Sequence, residues 1–84
     1  MYRFIIEDGT LIKYLGLNDT VMIPQGIHTI GTGAFLLCIN IKSIVIPEGV
    51  TEICDKAFYQ CERLEEVILP DSVTHIGYSA FEMC

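Results

Sequence analysis

The residues of this sequence best suited to metal binding or nucleophilic chemistry are its four cysteines: Cys38, Cys54, Cys61 and Cys84. Thiolates bind zinc most often from C-x-x-C pairs on short loops, and the sequence contains no such pair. Cys38, Cys61 and Cys84 are instead spaced 23 residues apart. We therefore expect a column of buried free thiols, in which Cys84 is the most exposed. A disulfide between stacked neighbours and a metal site are the alternatives.

The other residues that could do chemistry are two histidines, one pair of carboxylates and one glycine-rich stretch. His28 and His75 follow the nearest preceding proline at different distances, so nothing predicts that they meet. Glu65 and Glu66 are adjacent in a strand-like segment and should point in different directions. Residues 31–33, Gly-Thr-Gly, are too few for a phosphate-binding loop. The sequence therefore predicts no enzyme, with no catalytic residue, no cofactor and no metal.

Composition narrows the class of protein further. A net charge of −6, from 5 basic and 11 acidic residues, argues against nucleic-acid binding, which needs cations to neutralise phosphates. A hydrophobic fraction of 51% excludes a disordered chain. The longest apolar run, residues 34–39, is far shorter than the roughly 18–20 residues of a membrane-spanning helix, so we expect no membrane insertion. The opening residues lack the pattern of a signal peptide.

The elements that must position these residues come from an internal repeat. Pro24, Pro47 and Pro70 are spaced 23 residues apart. The strongest apolar positions follow the same spacing: Ile27, Val50 and Val73; Ile30, Ile53 and Ile76; Phe35, Phe58 and Phe81. One such unit cannot bury its apolar side alone, so we expect the units to stack into a continuous core.

Each unit has the pattern of a strand, a turn, a short extended piece and one helical turn. Residues 44–46 and 67–69 are aliphatic and largely β-branched, which favours strands, and the following proline ends each of them. Residues 57–61 predict about one turn of helix. The predicted fold is an α/β solenoid of about three coils over residues 20–84, the last incomplete, with a short parallel sheet.

Residues 1–19 do not repeat and predict an N-terminal β-hairpin cap. Asp8-Gly9 is a hairpin turn signal between two apolar segments. A solenoid needs an atypical unit over the exposed end of its core, and this hairpin precedes the first coil.

The unit from Ile41 to Cys61, Ile-x-x-Ile-x-Ile-Pro-x-Gly-Val-x-x-Ile-x-x-x-Ala-Phe-x-x-Cys, resembles the BspA-like class of leucine-rich repeats. The segment from Asp8 to Gly16, Asp-Gly-x-Leu-x-x-Tyr-x-Gly, is similar to the lead-in of such arrays. The resemblance covers nearly the whole chain. It implies a right-handed solenoid, a role in adhesion or protein binding, and a location at the cell surface or outside the cell. One departure is Cys54, which stands where Gly31 and Gly77 stand.

The outward side of the predicted strands is one candidate protein-binding face. Strand alternation turns Met22, Val45 and Ile68 outward, in the same position of successive coils. The polar residues that flank this apolar column are Lys42, Ser43, Glu65 and Glu66.

The C-terminal end is a candidate for self-association. The strand over residues 66–69 is an edge with unpaired backbone groups, and the end of the core lies beside it. The residues of this surface are Leu64, Val67, Leu69, Phe81 and Cys84. A homodimer or larger oligomer through residues 64–84 is the expectation. The predicted function is a non-enzymatic protein-binding or adhesion module. The alternative is a self-associating scaffold unit or a fragment of a longer array.

Overall fold

The computed structural model describes residues 3–84, which form eight short strands. The strands are β1 (Phe4–Glu7), β2 (Thr10–Tyr14), β3 (Thr20–Met22), β4 (Thr29–Ile30), β5 (Ser43–Val45), β6 (Glu52–Ile53), β7 (Glu66–Ile68) and β8 (His75–Ile76). A five-stranded sheet has the order β1-β2-β4-β6-β8, and a three-stranded sheet has the order β3-β5-β7. Among the described residues, no helix is long and apolar enough to cross a membrane.

The 23-residue spacing becomes the register of both sheets. β3 pairs in parallel with β5, and β5 with β7, always with the residue 23 positions further along. The same offset joins β4 to β6 and β6 to β8. Each unit therefore contributes one strand to each sheet, and we call each unit a coil. Coil 1 comprises residues 20–42, coil 2 residues 43–65 and coil 3 residues 66–84.

Equivalent side chains of successive coils stack in columns and make the core. Ile30 lies beside Ile53 in the five-stranded sheet, and both are fully buried. The rings of Phe35, Phe58 and Phe81 stack with centroids 4.8 and 5.0 Å apart. These distances are close to the separation of neighbouring strands, because each coil displaces both its ring and its backbone by the same distance along the solenoid. As the stacked column predicts, Phe58 is fully buried and Phe81 only half-buried.

The predicted helical turn of each coil is not confirmed. The segment is a run of turns in which Cys61 N–H donates to the Phe58 carbonyl three residues before it, at 3.2 Å. Alternate N–H groups point to the next coil, so that Phe58 donates to Ala80 at 2.7 Å and Gln60 to Glu82 at 2.9 Å. A helix would use those groups internally. Gln60 also has a φ of 58°, which ends helical geometry.

Left-handed backbone recurs at fixed positions of the coil, and the position of Cys54 is not one of them. Gly33, Lys56 and Ser79 all have positive φ, two residues beyond the position shared by Gly31, Cys54 and Gly77. Gly31 and Gly77 do not have positive φ themselves. Glycine is favoured there by close approach, because a Cβ would press against the Leu11 carbonyl oxygen or the Asp55 backbone nitrogen.

The hairpin of β1 and β2 covers the first coil through the five-stranded sheet. β1 pairs antiparallel with β2 around Asp8-Gly9, and β2 pairs in parallel with β4. His28 stabilises the hairpin turn through two contacts. Its backbone N–H donates to the Gly9 carbonyl at 2.9 Å, and its side-chain Nε2 lies 2.9 Å from the Asp8 carbonyl oxygen. The Tyr14 ring stacks on Phe35 at 5.3 Å and continues the aromatic column into the cap.

Candidate binding surfaces

The outer face of the β3-β5-β7 sheet carries one apolar column. Val21 and Ile44 point inward and are buried, so alternation turns their neighbours Met22 and Val45 outward. Met22 pairs in register with Val45, and Val45 with Ile68. Met22 is 73% exposed, Ile68 about half exposed and Val45 half-buried between them. The structure therefore brings together all three residues of the predicted apolar column.

A polar row follows this column at the start of the strands. Ser43 Oγ donates to Glu66 Oε1 at 3.3 Å across β5 and β7. The backbone there is tied from coil to coil, since Lys42 N–H donates to the Asp19 carbonyl at 2.7 Å and Glu65 N–H to the Lys42 carbonyl at 2.8 Å. The side chains of Lys42, Glu65 and Glu66 are exposed. A rigid backbone thus presents an apolar column with a polar border, the arrangement of core and rim found in protein interfaces.

The predicted self-association end exposes residues whose equivalents are buried in earlier coils. Leu69 is exposed where Ile46 is buried, and Val67 is half-buried where Ile44 is fully buried. Leu64 and Phe81 are half-buried, and Cys84 is exposed. Sequence reasoning missed Ile76, which is 52% exposed at the same end, although it belongs to the column of Ile53.

A second apolar surface escaped the sequence analysis. Leu17, Leu37 and Ile39 line one cleft of about 290 Å³ beside the hairpin cap. Their exposed fractions are 80%, 56% and 50%. The repeat register contained the signal, because the residues 23 positions further along are polar: Asn40, Gln60 and Glu62. We call these three residues the cap-side patch.

Two thiols of the cysteine column donate hydrogen bonds to the backbone, and burial raises the pKa of Cys61 and Cys38. Cys61 Sγ donates to the Phe35 carbonyl at 3.1 Å, and Cys84 Sγ to the Phe58 carbonyl at 3.0 Å, one coil apart. Burial raises the pKa of Cys61 to about 12. Burial also raises the pKa of Cys38 and, with the nearby Glu52 carboxylate, that of Cys54. All four cysteines are free thiols. A buried thiol that stays protonated, as at Cys61, is a poor nucleophile and a poor metal ligand.

The histidines lie apart and serve local structure. His28 Nδ1 lies 2.9 Å from Thr29 Oγ1, in addition to its contact with the hairpin turn. His75, the first residue of β8, has its Nδ1 3.0 Å from Thr74 Oγ1. Across residues 3–84, no group of three His, Cys, Asp or Glu side chains converges as metal ligands would.

Two parallel ladders in a 23-residue register, joined by turns and stacked on an aromatic column, define a leucine-rich-repeat protein. A model of the BspA type leucine-rich repeat region matches residues 10–84 with six copies. The chain therefore belongs to the BspA-type leucine-rich repeat family, as its resemblance predicted.

Among solved structures, the chain is similar to a leucine-rich repeat protein of T. pallidum. The TM-score is 0.86 and the sequence identity 30%. The similarity covers 89% of this chain and 37% of the T. pallidum chain, so this chain spans little more than a third of that protein. No curated protein matches the chain.

Proposed function

We propose that the protein is a non-enzymatic protein-binding module, an adhesion or recognition unit at a cell surface. It meets a protein partner through the outer face of the β3-β5-β7 sheet. The observation that carries the proposal is the exposed apolar column of Met22, Val45 and Ile68 on a parallel, hydrogen-bonded sheet. Apolar area without a partner is costly on a soluble protein and commonly marks an interaction surface.

The polar border gives this face the means to choose among partners. Exposed Lys42 lies one coil away from Glu65 in the same backbone row, so charges of both signs flank the apolar column. Rim charges of this kind steer encounter and exclude wrong partners, while the apolar centre supplies affinity.

Site-directed photo-crosslinking tests the face directly. A photoreactive amino acid replaces Met22 in one protein and Glu52, on the other sheet, in the matched control. Cells that make each protein are irradiated, and crosslinked partners are identified by mass spectrometry. We expect a discrete crosslink from position 22 that is lost when Ile68→Lys is added, because a lysine desolvated at the centre of the interface is unfavourable. Equal crosslinking from positions 22 and 52 would contradict the proposal.

A second candidate role is structural, as a scaffold unit that associates through its C-terminal end. It is favoured by the exposure of Leu69 and Ile76, whose equivalents in coil 2 are buried. The strands β7 and β8 are the outer members of their sheets, so their free backbone groups can pair with another strand. Light scattering of the reduced protein, with Leu69→Lys as the variant, tests this role. A clean monomer at micromolar concentration would argue against it.

A further inference from the structure

The cap-side patch of Leu17, Leu37 and Ile39 is an apolar surface that the fold does not require. Strict 23-residue pairing continues into the hairpin linker, since Lys42 N–H donates to the Asp19 carbonyl. The positions can therefore be compared from coil to coil.

At each of these positions the residue 23 positions further along the chain is polar. Gln60 stands in the position of Leu37, Glu62 in that of Ile39, and Asn40 in that of Leu17. Leu37 and Gln60 even share the same left-handed backbone, with φ of 60° and 58°. Three exposed aliphatic residues of the chain thus have polar counterparts one repeat further along.

The patch combines a highly exposed side chain with a cleft. Leu17 is 80% exposed and lines the cleft together with Leu37 and Ile39. The other lining residues are uncharged: Gly16, Asn18, Cys38, Asn40 and Ile41. A two-fold contact places the same patch on both partners, so Leu17 of each copy can enter the cleft of the other.

Charge selects this surface over the C-terminal end as the contact between two copies. Residues 1–42 carry three basic and three acidic side chains, whereas residues 43–84 carry two basic and eight acidic ones. Coil 3 has Glu66, Asp71 and Glu82 and no lysine or arginine, so two C-terminal ends would repel each other. A contact through the cap-side patch brings neutral halves together and leaves the acidic halves apart.

We propose that the chain forms a two-fold homodimer through the cap-side patch, with the Leu17 side chain of each copy seated in the cleft of the other. The proposed partner-binding column of Met22, Val45 and Ile68 contains none of the three patch residues, so each dimer carries two such columns. Two linked faces strengthen binding to a repetitive partner surface without any new contact.

Analytical ultracentrifugation of the reduced full chain tests the proposal. The patch variant is Leu17→Asn with Leu37→Gln, which leaves the net charge unchanged and uses the residues found 23 positions further along, Asn40 and Gln60. The matched control is Met22→Ser, an equally exposed apolar residue outside the patch. A third protein, Leu69→Lys, changes the C-terminal end. We expect concentration-dependent dimers of the native chain, association weakened about tenfold or more in the patch variant, and no comparable loss in the other two.

Three results would overturn the proposal. They are a native chain that stays monomeric up to high micromolar concentration, association lost with Leu69→Lys instead of the patch variant, and equal weakening by Met22→Ser. The second result would support the C-terminal scaffold role, so the two surfaces are separated in one experiment. Circular dichroism checks that the patch variant keeps the native fold. Leu17→Asn alone, at the most exposed of the three positions, repeats the test should the double variant lose it.

Discussion

At the scale of the residue, the aromatic column packs one coil against the next, and its middle ring contributes most to stability. Phe58 is fully buried between Phe35 and Phe81, whereas Phe81 has a ring on one side only. Phe58→Ala leaves a cavity that both neighbouring coils border, and we expect it to cost about 3–5 kcal/mol, enough to unfold so small a domain. Urea titration should show a much smaller loss for Phe81→Ala. Equal losses would contradict the stacked column.

The cysteine column gives a second prediction at this scale. Cys84 is exposed, and Cys61 is buried with its pKa raised to about 12, so alkylation of the folded protein should reach Cys84 first and Cys61 last. Mass spectrometry after timed labelling measures the order. Urea should abolish the difference, and labelling of Cys61 as fast as Cys84 without denaturant would contradict it.

The same burial predicts a pH dependence of stability. The folded pKa of Cys61 lies above that of the unfolded thiol, so the unfolded state loses its proton first as the pH rises. The stabilisation is complete below the unfolded pKa of about 9 and is lost progressively towards about 12. Thermal melts across this range should fall less steeply for Cys61→Ala than for the native chain, once the neutral-pH difference is subtracted.

The residue columns could be predicted from the sequence because stacking repeats them at a fixed spacing. Periodicity identified Phe58 as core and placed Met22 on the outer side of its strand. The same method missed the exposure of Leu17 and Ile39. In a strongly apolar chain, an apolar residue is assigned to the core unless its contacts are known. Comparison with Glu62 in the next coil would have identified Ile39 as an exception.

At the scale of the element, the turn segment can be distinguished from a helix by one position. Gln60 has left-handed backbone, where glycine is favoured over alanine by about 1–2 kcal/mol. In a helix the preference reverses, with alanine favoured by about 1 kcal/mol. We therefore expect Gln60→Gly to unfold at a higher urea concentration than Gln60→Ala. The opposite order of stability would support the helical turn predicted from the sequence.

The strands were predictable and the turn was not, for a physical reason. Residues 43–45 combine β-branched side chains with a proline two positions later, a pattern with one common solution. In residues 57–61 a spacing of three or four between buried residues fits a helical turn and a run of turns alike. Hydrogen bonds between coils, such as that from the Phe58 N–H to the Ala80 carbonyl, determine that this segment is a run of turns. A local sequence pattern carries no information about such bonds.

At the scale of the whole molecule, the chain behaves as a sum of coils and the contacts between them. Coil 2, residues 43–65, is covered on both sides, and its inward residues such as Ile53 are fully buried. In coil 3 the equivalent Ile76 is half exposed. Repeat length and stacking order could be read from the proline spacing. The sequence did not reveal that the hairpin caps the five-stranded sheet and leaves β3 at the edge of the other.

Additivity of coils predicts that a longer array is a more stable one. Insertion of a second copy of residues 43–65 between Glu65 and Glu66 keeps the 23-residue register and adds one complete contact between coils. In a one-dimensional array each internal coil adds its own stability plus one interface, and the interface term is the favourable one. We expect a higher midpoint in urea and a steeper transition, because more surface becomes exposed on unfolding.

The control insertion is the same copy without Glu62, an exposed residue whose loss removes no core contact. Because this copy is one residue shorter, every later residue is displaced by one position from the 23-residue register. A displacement of one residue in a strand turns buried side chains outward. This protein should melt below the native chain or fail to fold, although its composition is nearly that of the full insertion. If both insertions were equally stable, the 23-residue register would not be what holds one coil to the next, and collapse of a generic apolar surface would have to explain the fold.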